Sequence, residues 1–477
     1  MITFESVFFG YTDAATEVER NPSGFQKAFY DPNNYVHELV DGNKFLLRGR
    51  KGDGKTAYSE QIKLTEDALN IYAYQKSLSN FNNLVFSQIK TYSNLGGNPY
   101  ISFWKCILLI ECVNMLNTFE PYIESDEYVN ILYSLNQYGF LSTDSDISVA
   151  IRKLVETNST ITVSSFYKHG RRYERNQELK GAEQIYTSIF KAIKDLYLTK
   201  KFIFIIDGLD DVLSSTEYRS DIITGLIRAV EEINRQFRST TLSIKILILI
   251  RDDILSLCRD YNLSKIKRDS SILLKWDIGD DPNTSELLNL VIKRVNENTG
   301  EEIAFTQMWY ELFPDTIGSR SSLDYVLENI IYRPRDILQL FTEFQKVYIR
   351  GKKISQEKIQ EALARYSDEY FLPALQDELT GFFPDEIITC LPQIFSHIGS
   401  RYFYLEEFEN ECSKHKDIEG VSAQTILEHL FKAGYIGQHR PRDAGDYTVF
   451  SYRNTYERFQ ADHECILHRG LMRALVL

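Results

Sequence analysis

At 477 residues the chain exceeds what one hydrophobic core usually serves, so two or three domains are expected. With 43% hydrophobic and 25% charged residues it has the make-up of a folded protein, which argues against long disordered stretches. Its formal net charge of −13 opposes broad, unassisted binding to phosphate backbones, because polyanions are drawn to clustered Lys and Arg.

In chain order, the first residues lack a basic start followed by an apolar core, so export is not indicated and a cytoplasmic location is expected. An apolar run at 44–47 leads into a glycine-bearing loop, and residues from Thr56 to about 69 read as a helix. A second strand is expected at 84–89 and a buried helix at 103–116. A polar, helix-like insertion follows at about 120–163. Lys168, Arg171, Arg172 and Arg175 would lie within one or two helical turns, as a basic patch or a solvated face. Further strands are expected at 202–206, 244–250 and 272–276, with a helix carrying Ile222, Leu226, Val230 and Ile233 between the first two.

Continuous apolar strands separated by helices are what a parallel sheet covered on both faces requires, so residues 1–277 are expected to form an α/β domain. The longest apolar runs, 246–250 and 202–206, are too short to cross a bilayer, so no membrane partner is expected. Beyond Pro282 the pattern turns helical, at 287–295, 323–331 and 334–347, which suggests a helical lid over residues 278–365. In residues 366–477, helices at 387–398, 405–412 and 425–433 precede strands at 435–438 and 447–452, the order of a winged-helix domain. The six cysteines are scattered without a C-x-x-C pair, which fits reduced thiols rather than zinc ligands.

The string Gly49-Arg50-Lys51-Gly52-Asp53-Gly54-Lys55-Thr56, followed by Ala57, matches G-x-x-x-x-G-K-[ST] in full. Glycines let such a loop curl so that successive N–H groups face phosphate oxygens, and the following helix N-terminus adds its positive dipole end. Lys55 can then reach the β and γ phosphates and the Thr56 hydroxyl can ligate Mg²⁺, so ATP with Mg²⁺ is the expected cofactor pair. No guanine-specific N-K-x-D motif is evident. Asp207 ends the 202–206 strand, where a carboxylate can hold the magnesium through its water shell. Asp210 or Asp211 can orient or deprotonate an attacking water, the alternative being that one of them caps a helix.

The segment IIDGLDD resembles the second nucleotide motif of STAND-type ATPases, especially the NACHT branch, within the wider AAA+ and STAND group. More closely, FLLRGRKGDGKTA, IFIIDGLDD, ILILIRDDIL, RPRDILQLF and the terminal HRGLMRAL together resemble a group of bacterial P-loop ATPases, the Sll1717 type. A departure is Asp53, where that group tends to carry a small hydroxyl residue. The resemblance implies an ATP-hydrolysing P-loop core with Arg251 as a γ-phosphate sensor at the end of its strand, the alternative being an ion pair with Asp252 or Asp253. It further implies a lid arginine, Arg335, with pairing to Asp336 as the alternative. Such ATPases are often completed by an arginine from a neighbouring subunit, for which Arg268 or the group around Arg171 and Arg172 are candidates.

These readings converge on a nucleotide-driven switch that self-associates and acts through a separate effector protein, because the chain shows no nuclease or protease signature of its own. By resemblance, bacterial defence against phage is an implied setting. The alternatives are a DNA-associated ATPase of the initiator or loader kind and a scaffold that binds ATP with little turnover. DNA is the less favoured partner, since the helix at 425–433 offers Glu428 beside His429 and Lys432, and Arg440 and Arg442 have Asp443 and Asp446 nearby.

Overall fold

A computed structural model describes residues 4–78, 99–141, 147–156, 160–163, 166–168, 171–173, 177–209, 219–258, 260–415, 420–441, 447–454 and 457–477. The chain divides into two compact units, one comprising Asn33–Arg50 and Lys55–Leu274, the other Met1–Pro32, Lys51–Gly54 and Lys275–Leu477.

The first unit holds a five-stranded parallel sheet. Its strands are β1 (Leu46–Gly49), β2 (Ile71–Ser77), β3 (Lys201–Asp207), β4 (Ile244–Arg251) and β5 (Ser271–Leu273), in the order β2-β3-β4-β1-β5. Phe202 to Ile206 and every residue of β4 are buried, as uninterrupted apolar strands covered on both faces must be. The expected α/β class with a parallel sheet is therefore correct. The covering helices include α1 (Lys55–Leu64), α2 (Pro99–Phe119), α3 (Ala182–Ile193) and α4 (Arg219–Arg238). Helix α2 packs against both α3 and α4, and its Trp104 indole donates to the Ile222 carbonyl at 3.0 Å. This helix is long and apolar enough to cross a membrane, yet 78% of its most apolar stretch is buried inside the protein.

Several expected elements differ. The strand beside β3 is Ile71–Ser77, and the expected strand at 84–89 lies outside the described residues. Its alternating Ile-Tyr-Ala-Tyr pattern carries polar residues that hide it among turns. The 120–163 region holds helices Asp126–Gln137 and Ser148–Glu156 but ends in strand Thr160–Val163, and the basic segment is not helical. Phe166–Lys168 and Arg171–Tyr173 pair antiparallel, Lys168 opposite Arg171 and Tyr167 opposite Arg172. β-branched and aromatic residues favour the extended form there.

The second unit is mostly helical, with α5 (Glu286–Thr299), α6 (Phe305–Leu312), α7 (Pro334–Val347), α8 (Gln356–Arg365), α9 (Leu372–Leu379), α10 (Asp385–Ile398), α11 (Leu405–Cys412) and α12 (Ala423–Ala433). A π-helical turn, Tyr366–Phe371, joins α8 to α9. Pro334 opens α7, where its missing N–H costs nothing, and Gly300 ends α5 in the left-handed conformation. Four antiparallel strands follow the order β6-β9-β7-β8, being β6 (Tyr402–Phe403), β7 (Ile436–Arg440), β8 (Tyr447–Val449) and β9 (Cys465–Leu467). β6 and β9 escaped the sequence reading because two or three residues carry no period.

The N-terminal residues belong to this unit, not to the sheet unit. Phe4, Val7 and Phe9 are buried in its core, Gln345 Nε2 donates to the carbonyls of Phe4 (2.8 Å) and Val7 (2.6 Å), and Arg294 pairs with buried Glu17 at 2.6 Å. All six cysteines are buried free thiols, and no group of metal-ligating side chains is found among the described residues.

His468 is fully buried in this unit. Its Nδ1 accepts the Gly470 amide at 3.1 Å, so the ring proton sits on Nε2, facing the Tyr452 hydroxyl at 3.2 Å. Burial, with Arg453, Arg401 and Arg333 nearby, holds its pKa well below the ordinary histidine value. Protonation would also break the Gly470 bond. Below about pH 6.5 the unfolded chain takes up a proton that the folded chain refuses, so stability is expected to fall as pH drops from about 7 to 5. Thermal midpoints at both pH values for wild type and His468→Gln should show a smaller loss in the variant; equal losses would remove His468 as the cause.

Candidate functional site

Within the sheet unit, β1 closes on Gly49 in register with Arg251 at the end of β4, and β3 closes on Asp207 in register with Ser77. Helix α1 starts at Lys55, straight after the glycine loop. The Thr56 hydroxyl donates to Asp207 Oδ2 at 3.1 Å, and Asp207 Oδ1 accepts the Gly208 amide at 2.8 Å. Lys55 is only 8% exposed, and its Nζ donates to the carbonyls of Arg50 (3.1 Å) and Gly49 (3.4 Å). A hydroxyl and a carboxylate side by side are hard oxygen donors of the kind Mg²⁺ prefers, while a buried ammonium donating to carbonyls suits a phosphate.

Arg251 is buried and grips Asp253 with two bonds, Nε to Oδ1 at 3.1 Å and Nη2 to Oδ2 at 2.7 Å. The other acid is taken by Arg48 of β1, which donates to Asp252 Oδ1 at 2.8 Å and to the Ser271 hydroxyl at 3.1 Å. Arg48 was not anticipated, since an arginine in an apolar strand gives no signal of its partner 204 residues away. Asp210 and Asp211 lie outside the described residues, as do Arg175, Arg442, Asp443 and Asp446. Arg268 is exposed and pairs with its neighbour Asp269 at 2.9 Å. Ala57 is the third residue of α1.

The loop crest, Lys51–Gly54, is grouped with the helical unit. Gly52 and Gly54 stand at φ +86° and +97°, which side-chain-bearing residues rarely adopt, and Asp53 between them is buried. Arg333 is fully buried in that unit. Its Nε donates to Asp336 Oδ2 at 3.0 Å, Nη2 reaches the Tyr435 hydroxyl at 3.3 Å, and Glu378 lies 3.7 Å from Nη1. Burial disfavours the charge, but Asp336, Tyr435, Tyr370 and Glu378 more than offset it and raise the guanidinium pKa further. Asp336 is thus held by Arg333 and by the Tyr370 hydroxyl at 2.7 Å. Arg335 is half-buried and lines a cavity of about 270 Å³ together with Lys51, Tyr370 and Asp377.

A parallel strand, a glycine loop, a helix start with Lys55 and Thr56, and a carboxylate two strands away define a P-loop ATPase-like α/β fold. Residues 285–373 match the family model described as the FunZ-associated C-terminal helical domain. Over 98% of its length the chain is 25% identical to the putative transposon gamma-delta 80.3 kDa protein of Escherichia coli (strain K12), and it spans 66% of that relative's length. Two solved structures of the Aeropyrum pernix ORC2 protein, the ADPNP–ADP complexes and the ADP form, are similar at 13% identity. Their TM-scores are 0.39 and 0.31, over 95% of this chain and 92% and 95% of theirs.

Proposed function

We propose that the protein is a Mg²⁺-dependent ATPase of the AAA+ and STAND group, akin to the Sll1717 type, that works as a nucleotide-driven switch. The observation that carries this reading is the Thr56 hydroxyl 3.1 Å from Asp207, at the C-terminal edge of a parallel sheet and one residue after a buried lysine. In this reading Gly49 to Ala57 hold the phosphates, and Thr56 and Asp207 hold the magnesium, which when bound neutralises charge on the transferred phosphoryl group. Lys55 binds the phosphates, Asp210 or Asp211 orients the water, and Arg251 and Arg335 sense the γ phosphate. The sheet unit, 33–50 and 55–274, would act as nucleotide domain and residues 278–365 and 366–477 as lid and winged helix, and ATP would drive self-association and engagement of a separate effector, in bacterial defence by the resemblance. DNA is disfavoured as partner because the exposed face of α12 spends Gln424 on Glu428, at 2.8 Å.

Purified protein should release phosphate from ATP only with magnesium, and Asp207→Asn should slow release by about 100-fold, roughly 3 kcal/mol in the barrier. Mass measurement with and without a non-hydrolysable ATP analogue should show assembly in its presence. Magnesium-independent turnover, or an Asn variant as fast as wild type, would sink the assignment.

A further inference from the structure

Three successive carbonyls on the loop crest each accept a hydrogen bond from the helical unit to which the crest belongs. Arg333 Nη1 donates to Lys51 O at 3.3 Å, the Arg335 amide to Gly52 O at 3.4 Å, and the Trp276 indole to Asp53 O at 2.9 Å. A peptide unit is planar, with its C=O and the following N–H pointing opposite ways. Fixing the carbonyls of 51, 52 and 53 therefore aims the amides of Gly52, Asp53 and Gly54 at the other side of the loop. Those are amides that a loop of this motif offers to phosphate oxygens.

The donors are themselves held. Arg333 is locked by Asp336, Glu378 and Tyr435, and Trp276 is 6% exposed. A Cβ built on Gly52 would stand 3.4 Å from Arg335 Cβ and 3.6 Å from Arg333 Cδ, so the start of α7 lies close against the crest. A loop left to itself would lose freedom only when its ligand arrives, which weakens binding; a loop held beforehand has already lost it.

We propose that Trp276 and Arg333, together with the Arg335 amide, are positioning residues that preset the phosphate cradle from behind, orienting its amides for the phosphates of a nucleoside di- or triphosphate. This rests on the nucleotide reading of the loop. Of the three donors only the arginines stand beside a recognisable motif; Trp276 has no sequence signal at all.

The test is the affinity for N-methylanthraniloyl-ADP and for ATP, with magnesium, of the full chain, Trp276→Phe, Arg333→Lys and Lys55→Ala. Phenylalanine keeps a ring but has no N–H; lysine keeps the charge but loses the fork. Each donor variant is expected to weaken ADP and ATP binding equally, about 3- to 10-fold for a lost crest hydrogen bond, with a thermal midpoint near that of wild type for Trp276→Phe and a lower one for Arg333→Lys, whose fork also holds Asp336 and Tyr435. A folded donor variant with wild-type affinity overturns the assignment. So does failure of both to fold, which would make the two side chains framework rather than positioning groups. Wild-type protein that binds neither nucleotide defeats the nucleotide reading and the clamp with it. Wild-type binding lost in Lys55→Ala but kept in the donor variants defeats the clamp alone.

Discussion

Replacing Lys55 by alanine is expected to weaken ATP binding by at least about 100-fold, some 3 kcal/mol, while leaving the fold intact. The ammonium is almost wholly buried at the start of α1 and donates to the neutral carbonyls of Gly49 and Arg50 in the loop. Among the described residues its hydrogen-bond acceptors are carbonyls, an arrangement that an anionic ligand relieves. Its removal should therefore cost binding and not stability: titration with a fluorescent ATP analogue should show the loss, and the thermal midpoint should stay level or rise. A variant that binds ATP as wild type does would separate Lys55 from phosphate recognition; one that melts early would make it a structural cation.

Asp336→Ala is expected to destabilise the helical unit by about 3–5 kcal/mol, the usual consequence of leaving a buried partner charge alone. Asp336 has no exposed surface, and it serves both the Arg333 guanidinium and the Tyr370 hydroxyl of the π-helical turn. Without it, Glu378 at 3.7 Å is the carboxylate left to Arg333 among the described residues, and Tyr370 loses the Asp336 acceptor. For a unit of this size the thermal midpoint should drop on the order of 10 °C, seen by calorimetry as a shift of one transition. Asp336→Asn, which still accepts hydrogen bonds, should lose less. A midpoint unchanged in Asp336→Ala would show that the network contributes nothing net.

The loop-and-strand half of the candidate site was legible because its residues come in a fixed order at fixed spacing. Gly49 to Thr56 announce a loop, and five buried apolar residues ending in Asp207 announce a strand that stops at a carboxylate. What could not be read was which side chain each arginine would find. Arg251 reads as a γ-phosphate sensor with an ion pair to Asp252 or Asp253 as the alternative, and the structure shows the pair, Asp253 with Arg251, while Asp252 goes to Arg48. Arg335 reads as a lid arginine with pairing to Asp336 as the alternative, but Asp336 goes to Arg333, three residues back at the N-cap of α7. At 166–168 and 171–173 a cluster of charges has no period of its own, and strands of three residues are too short to show one.

Phe4, Val7 and Phe9, set in the core beside Trp309 and Phe341, bear on how this chain can be divided. Cutting it at a single point near residue 275 would give a C-terminal piece stripped of three apolar side chains and of the carboxylate that neutralises Arg294. It would also lack the crest residues 51–54, stranded on the other fragment. The two units are therefore interleaved in sequence rather than strung end to end. A single cut separates neither unit cleanly, and a piece carrying the helical core needs residues 4–32 as well as those beyond 275 to keep it whole.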